Sequence, residues 1–298
     1  MSIKNFKEAI DSRDLLKALL ALESITYVNE VDKDSKTLLV YALKKRMPEV
    51  GTFLLNRGAD PNIVTNAGTS PLHLATEFGF TDICTALIHA NADVNARQSS
   101  IYQSRTPLHI AASYDRPEVV RLLLDAGADI EATDRQNSTA LNLAACHYNI
   151  SIVDILLEYG ADPNKKNRHG WAPLHYLGQT DKVHTCKLLI CAGADVNLLD
   201  DKGWNSLHYA VHGRQKEMCG LLIDNGVDIN LQEQQEYNTP LHIAVQNKDV
   251  SICECLINSG ASLNVQNRYE RTPLQLARER QYTGVVDVFT KYSGSGQF

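Results

Sequence analysis

Leucine positions recur along this chain with a period of about 33 residues. The steps between successive copies are 33 residues five times, 34 once and 36 once. The marker residues are Leu39, Leu72, Leu108, Leu141, Leu174, Leu207, Leu241 and Leu274. A fixed period in this range indicates a repeat protein, in which each copy buries its apolar face only against its neighbours.

Each copy predicts a pair of helices. The first helix begins at a string such as Thr106-Pro107-Leu108-His109, where Thr caps the helix and Pro fits the first turn without losing a needed hydrogen bond. The second helix ends at a glycine such as Gly58 or Gly193, which can adopt the left-handed conformation that closes a helix. The residues that follow, for example 162–170, predict a hairpin loop that leads to the next copy.

A second block recurs in phase with the first, as in Leu54–Asn62 (LLNRGADPN) and Leu87–Asn95 (LIHANADVN). With these two blocks, residues 30–290 resemble the ankyrin-repeat family. The resemblance implies an all-α solenoid of paired antiparallel helices with hairpin loops, about nine repeats including capping repeats. We expect one solenoid over 1–298. Its expected parts are an atypical N-terminal capping repeat at 1–31, repeats over 32–271, a C-terminal capping repeat at 272–292 and a frayed tail at 293–298.

Composition narrows the class of protein. The chain has 44% apolar and 21% charged residues, which is typical of a globular protein. It has no apolar run long enough to span a membrane. Seven cysteines without a secretory signal favour free thiols in a reducing compartment, so we expect a cytoplasmic chain, with the nucleus as an additional location. A net charge of -6 argues against nucleic acid as a partner.

Histidines and cysteines invite a metal or catalytic interpretation, but most of them follow the repeat. His73, His109, His175, His208 and His242 share one repeat position, where the resemblance implies a structural hydrogen bond between helix and loop. Cys84, Cys186, Cys219 and Cys253 share another, apolar position, and Cys255 also aligns with core residues. Only Cys146 and Cys191 look accessible. No zinc-type cysteine pair, no nucleotide-binding GxxxxGK(S/T) loop, no GxSxG hydrolase elbow and no HExxH helix is present, so we expect no enzyme, no metal and no cofactor.

The positions that vary between copies indicate the binding surface. The resemblance implies that hairpin tips and first helices line a concave groove. Trp171 and Trp204 occupy the same position in successive copies and should therefore be neighbours. Large aromatic rings and arginine are favoured at protein-binding hot spots. The predicted contact residues are Phe78, Tyr102, Arg105, Tyr114, Arg135, His147, Arg168, His169, Trp171, Trp204, His212, Tyr269 and Arg271.

The same variable positions also carry an excess of positive charge. Among them are eleven basic and five acidic residues, whereas the whole chain is negative. The basic residues are Lys33, Lys36, Lys44, Lys45, Arg105, Arg135, Arg168, Lys202, Arg268, Arg271 and Arg280. This asymmetry favours an acidic or phosphorylated segment as the partner; a random scatter of solvated charge is the alternative.

We therefore expect a scaffold or adaptor that is a monomer on its own and holds another protein in its groove. The alternative is a regulatory subunit, such as a ubiquitin-ligase substrate receptor or an inhibitor of an enzyme or transcription factor. Residues 291–298 are too few for a recruitment box, so a receptor would have to recruit through its repeats. The resemblance also implies hydroxylation of asparagine at the ends of Ala92-Asp93-Val94-Asn95 and Ala194-Asp195-Val196-Asn197.

Overall fold

A computed structural model describes residues 2–99 and 103–293 of the chain. All regular secondary structure in these ranges is helical, in agreement with the predicted class. The helices are α1 Ser2–Asp11, α2 Leu15–Glu23, α3 Leu38–Lys44, α4 Pro48–Asn56, α5 Pro71–Phe78, α6 Thr81–His89, α7 Pro107–Ser113, α8 Pro117–Asp125, α9 Ala140–Cys146, α10 Ile150–Glu158, α11 Pro173–Gly178, α12 Val183–Cys191, α13 Ser206–His212, α14 Lys216–Asp224, α15 Pro240–Gln246, α16 Val250–Asn258, α17 Pro273–Glu279 and α18 Thr283–Ser293.

The first helix of a repeat begins where the sequence predicts it. In α5, the Ser70 side chain accepts from the backbone N–H of His73 at 3.3 Å, and Pro71 occupies the first turn. Thr239 caps α15 in the same way. A capping side chain and a proline together favour this start, because proline has no N–H to leave unsatisfied.

The ends of the second helices also follow the prediction. Gly58, Gly127, Gly160 and Gly193 all have φ values between 82° and 92°. A glycine reaches this left-handed region without a steric penalty from a Cβ atom. The chain then turns into the hairpin loop, and in these loops an aspartate such as Asp60 accepts from the N–H of Asn62 at 2.8 Å.

The chain groups into two compact units, Met1–Ala161 and Asp162–Phe298. In each unit, first helices pack on first helices and second helices on second helices, for example α5 on α7 and α13 on α15. Leu72 and Leu207, the marker leucines of one copy in each unit, are fully buried. The boundaries predicted for capping repeats remain predictions. Ser293 still belongs to α18, and the remainder of the predicted frayed tail, 294–298, lies outside the described residues.

Adjacent hairpin loops are joined by asparagine side chains. The Oδ1 of Asn197 accepts from the N–H of Asp228 at 2.7 Å. Its Nδ2 donates to the carbonyl of Gly226 at 3.1 Å. Asn62 and Asn164 make equivalent pairs of bonds. Each asparagine therefore satisfies backbone groups of the following loop.

The cysteine predictions are confirmed with one exception. Cys84, Cys186, Cys219 and Cys253 are buried, and Cys146 and Cys191 are exposed. Burial raises the pKa of each of the four buried thiols to about 12, which keeps them protonated at neutral pH. Cys255 was expected in the core and is instead partly exposed, because its position lies at the edge of the buried face of α16.

Candidate protein-binding site

The two tryptophans lie together in the second unit, as their shared repeat position predicts. Both rings contact the phenol ring of Tyr209, with centroid distances of 4.7 Å for Trp171 and 5.0 Å for Trp204. Trp171 also lies 4.7 Å from Tyr176, and Trp204 lies 5.7 Å from His212. These five side chains form one group, which we call the aromatic cluster.

Sequence reasoning missed two members of the aromatic cluster, Tyr176 and Tyr209. They occupy the position directly after the repeated histidine, which is aliphatic in other copies, as in Leu74 and Ile110. That position faces the packed interior, and Tyr209 is only 5% exposed. The sequence could have indicated them, because tyrosine replaces an aliphatic residue at this position in two successive copies.

A buried carboxylate holds the aromatic cluster in place. Asp200 is 5% exposed. Its Oδ1 accepts from the backbone N–H groups of Lys202 at 2.8 Å and Trp204 at 2.9 Å, and its Oδ2 accepts from the hydroxyl of Tyr209 at 2.6 Å. Burial, together with this bond to a carboxylate, raises the pKa of Tyr209 well above its usual range. The tyrosine therefore stays a neutral donor.

Two clefts are lined by residues of the aromatic cluster. The first, of about 390 Å³, we call the Trp171 cleft; it is lined by Asn167, His169, Trp171, Tyr176, Asp200, Asp201 and Lys202. The second, of about 330 Å³, is lined by Lys202, Trp204, His212, Glu233, Gln235, Glu236, Asn238, Ile243, Gln246 and Asn247. The first has the more apolar wall, because an indole and a phenol ring form it. Each cleft has room for a side chain of a bound segment.

The predicted contact residues of the first unit are more dispersed. Phe78 is partly buried, contacts Phe80 at 5.6 Å and carries the guanidinium of Arg46 over its ring at 4.7 Å. Tyr114 is 49% exposed, and His147 is exposed at the equivalent end of the next first helix. Tyr102 lies outside the described residues.

Several of the predicted basic contacts are paired within the chain. Arg105 lies 3.7 Å from the buried carboxylate of Asp134. Arg271 lies 3.0 Å from Glu279 and also over the ring of the exposed Tyr269. Lys36 and Lys45 pair with Asp34 and Asp11. Arg135, Arg168 and His169 are exposed on hairpin tips. The positive excess of the variable positions is thus partly neutralised by ion pairs that the sequence did not reveal.

The repeated histidines have the structural role that the resemblance implied. In His73 the Nδ1 contacts the cap residue Ser70 at 2.8 Å, and the Nε2 lies 3.0 Å from the carbonyl of Arg105 in the next hairpin. Burial lowers the pKa of His73 to about 4. His208 differs, since its Nε2 has no hydrogen-bond partner among the described residues. Within 2–99 and 103–293, no group of three or more acidic, cysteine or histidine side chains is arranged to hold a metal ion.

The two asparagines predicted as hydroxylation sites lie on exposed loops. The Oδ1 of Asn95 accepts from the N–H of Asp129 at 2.8 Å, and its Nδ2 donates to the carbonyl of Gly127 at 3.4 Å. Asn197 makes the equivalent pair of bonds described above. Both side-chain amides are therefore occupied while the loops are folded.

Comparisons with known proteins agree with this architecture. A family model described as ankyrin repeats (3 copies) matches residues 7–98, 97–167, 141–233 and 221–295. The chain resembles the crystal structure of the ankyrin repeat domain of Bcl-3, described as a unique member of the IkappaB protein family. The sequence identity is 30% and the TM-score 0.65, over 75% of this chain and 99% of that domain.

A sequence relative adds a shorter match. Over 81 residues the chain is 37% identical to a homolog of transient receptor potential cation channel subfamily A member 1 from Caenorhabditis elegans, which is 26% of this chain and 6% of that protein. The chain thus spans a small part of that relative. Among the described residues, no helix has the length and apolar character needed to cross a membrane. Since the family model covers most of the sequence, the chain belongs to the ankyrin-repeat family.

Proposed function

We propose that this chain is a scaffold or adaptor that binds another protein, and that the aromatic cluster of the second unit is the centre of its contact surface. Ankyrin repeats typically serve in protein–protein interaction. The observation that carries the proposal is the grouping of Trp171 and Trp204 around Tyr209 beside two open clefts. Partly exposed aromatic rings on a rigid support lose little entropy on binding and are favoured as hot spots.

The experiment compares proteins captured from a cell extract by the wild-type chain and by Trp171→Ala and Trp204→Ala. We expect at least one partner to be lost from both variants, with affinity reduced by about thirtyfold or more, since hot-spot truncation costs about 2 kcal/mol or more. Circular dichroism and thermal unfolding establish that both variants fold. Affinities for the recovered partner are then measured by calorimetry.

A matched control is Tyr159→Ala. Tyr159 is 38% exposed and follows the second helix α10, away from the first helices and their hairpins. Loss of its hydrogen bond to Asp125 removes only a surface contact. If folded Trp171→Ala and Trp204→Ala proteins retain every partner, or if Tyr159→Ala loses the same partners, the aromatic cluster is not the contact surface.

The partner segment is proposed to be acidic or phosphorylated where it passes the hairpin tips. Arg135 and Arg168, which are exposed, and Lys33 at an earlier hairpin support this part of the proposal. Because such contacts are screened by salt, the association rate with the captured partner should fall as the salt concentration rises from 50 to 500 mM, roughly two- to tenfold. A rate independent of salt contradicts an acidic partner.

Asn95 and Asn197 are proposed as hydroxylation sites. Both are exposed, and both side chains bond to the next loop, so a modifying enzyme needs the loop to open first. Peptide mass spectrometry of the chain from oxygen-replete cells should show a gain of one oxygen at each asparagine. Unmodified peptides at both sites contradict the proposal.

A regulatory role is the second candidate function, favoured by the likeness to the Bcl-3 domain of the IkappaB family. In that case the chain would inhibit or redirect a captured enzyme or transcription factor, or present it as a substrate receptor. The distinguishing measurement is the activity of the captured partner with and without the purified chain. An unchanged activity favours the adaptor role.

A further inference from the structure

We propose that the Trp171 cleft binds the side chain of an arginine supplied by the partner segment. This inference rests on the proposed function and names the chemistry of one contact within it. The cleft lies between two successive hairpins of the second unit, and its volume of about 390 Å³ is at the lower end of the range for ligand sites. One long side chain therefore fits it better than a larger ligand does.

The wall of the cleft suits a planar cation. The Trp171 indole and the Tyr176 phenol have centroids 4.7 Å apart and planes inclined by 56°, so they form two adjacent aromatic walls of the cleft. The Tyr176 hydroxyl accepts from the Nδ2 of Asn167 at 2.7 Å, which fixes the orientation of the phenol. A guanidinium stacks on such aromatic faces and is attracted by their electron density.

Two carboxylates lie at the same cleft. Asp200 is buried, and its oxygens accept from two backbone N–H groups and the Tyr209 hydroxyl. Asp201 is exposed, and among the described residues its carboxylate takes part in no ion pair. The Asp201 Oδ1 lies only 2.8 Å from the position that a Cβ atom on Gly170 would occupy. The carboxylate is therefore held against the hairpin that carries Trp171.

Positively charged residues near the cleft do not remove its preference for a bound cation. Lys202 lines the cleft, and Arg168 and His169 are exposed on the preceding hairpin tip. Within the lining itself, two carboxylates stand against one ammonium group. An acidic side chain would be repelled by both carboxylates, and an apolar one would leave Asp201 without a partner. Arginine is favoured over lysine because its planar fork can stack and donate to a carboxylate at the same time.

The test needs no natural partner, so its failure is separate from a failure of the proposed function. The probes are the tripeptide amide acetyl-Gly-Arg-Gly and the same peptide with citrulline, which has the shape of arginine without its charge. Each is titrated into the ¹⁵N-labelled full chain while the indole N–H signals are followed by NMR. The chain has only two tryptophans, and Trp204→Phe assigns the remaining signal to Trp171.

We expect the arginine peptide to shift the Trp171 signal with a saturable curve and the citrulline peptide to bind about tenfold more weakly, as loss of a charged hydrogen bond predicts. Asp201→Asn should reduce arginine binding to the citrulline level. Glu217→Gln, which removes the same charge from the exposed face of α14, should leave it unchanged. Lys202→Gln should strengthen it by removing a like charge.

Three results would overturn the proposal. The first is no saturable shift of the Trp171 signal with the arginine peptide. The second is equal binding of the arginine and citrulline peptides, which would mean that shape alone governs the cleft. The third is an equal loss in Asp201→Asn and Glu217→Gln, which would reduce the effect to net charge. In each case capture of a partner through the aromatic cluster would remain a separate question.

Discussion

Among single residues, Gly170 meets two separate constraints, a left-handed backbone and a close neighbour. Its φ is +75°, and a Cβ atom there would lie 2.8 Å from the backbone nitrogen of Asp201. Gly193 has a φ of +92° and open space around its Cβ position. Gly193→Ala should therefore lower the free energy of unfolding by about 1 kcal/mol, the cost of the left-handed conformation. Gly170→Ala should cost about 1–3 kcal/mol more because the next hairpin must move.

Urea unfolding of the two variants and the wild-type chain measures the difference. Both glycines have a left-handed backbone conformation. The difference in the free energy of unfolding between the two variants therefore measures the cost of the close contact between the hairpins. Equal destabilisation would mean that the hairpin at Asp201 shifts without cost. The hairpin that borders the Trp171 cleft would then be more easily displaced than the contacts indicate.

The residues of the site show what one sequence can and cannot predict. Trp171 and Trp204 could be placed together because they share a register position in adjacent copies. Tyr209, which joins them, was hidden at a position that normally holds an aliphatic core residue. The pairing of Arg105 with the buried Asp134 was also hidden, because it joins two successive hairpins and depends on how they pack rather than on spacing along the chain.

At the level of elements, the length of a hairpin is matched by the length of one acidic side chain. In the regular loop, Asp134 Oδ1 accepts from the N–H groups of Gln136 at 2.7 Å and Ser138 at 3.0 Å. The loop that begins at Glu233 is one residue longer. There the longer glutamate accepts from the N–H groups of Gln235, Glu236 and Asn238 at 2.7, 2.7 and 3.1 Å.

Glu233→Asp should therefore lower the free energy of unfolding by about 1–3 kcal/mol, because a shorter carboxylate leaves buried N–H groups unsatisfied. Deleting Gln235 in the same chain should recover most of the loss, since it restores the regular loop length. Urea unfolding of the single and combined variants measures both effects. If the deletion lowers the free energy of unfolding further, loop length and side-chain length are independent of each other.

The starts of the first helices were predictable, since a capping residue or a proline marks each of them, and a glycine follows most of the second helices. The extra loop residue was also located, at 234–236, but its compensation by Glu233 was not. That compensation becomes visible only when the three accepted hydrogen bonds are seen. The helix ends thus follow from residues close in sequence, whereas the hydrogen bonds that compensate for loop length depend on how the loop folds.

At the scale of the whole molecule, the repeated histidines make stability depend on pH, because the same buried group occurs in several copies. Burial lowers the pKa of His73, His109 and His208 from 6.5 to about 4, and it also lowers the pKa of His175 and His242. Between pH 6.5 and about 4, the unfolded chain therefore binds protons that the folded chain does not. The free energy of unfolding must fall as the pH falls through this window.

The carboxylates affect stability in a different pH range. Hydrogen bonds and a nearby lysine lower the pKa of Asp14, Asp34 and Asp181 below their ordinary value of 3.8. The stability that these groups contribute is lost only at lower pH than the histidine window. Loss of stability that begins near pH 6 is consequently the signature of the histidines.

One natural copy shows how to remove a single histidine without removing its cap. Asn142 occupies the histidine position in its repeat, and its Oδ1 accepts from the N–H of Thr139 at 3.0 Å. His109→Asn should copy that arrangement. At pH 7.5 it should cost about 1 kcal/mol, because the contact of Nε2 with the carbonyl of Ser138 at 3.0 Å is lost. Below pH 6.5 it should flatten the pH dependence by up to about 1.4 kcal/mol per pH unit.

Urea unfolding from pH 7.5 to pH 5 measures both effects, and the control is His89→Asn at an exposed position of α6. We expect the curves of the wild-type chain and the control to run parallel and the His109→Asn curve to converge with them as the pH falls. Convergence follows because the variant no longer carries a group that must stay neutral in the core. Three parallel curves would mean that His109 takes up its proton without unfolding, and that the repeated histidines do not set the acid limit of this fold.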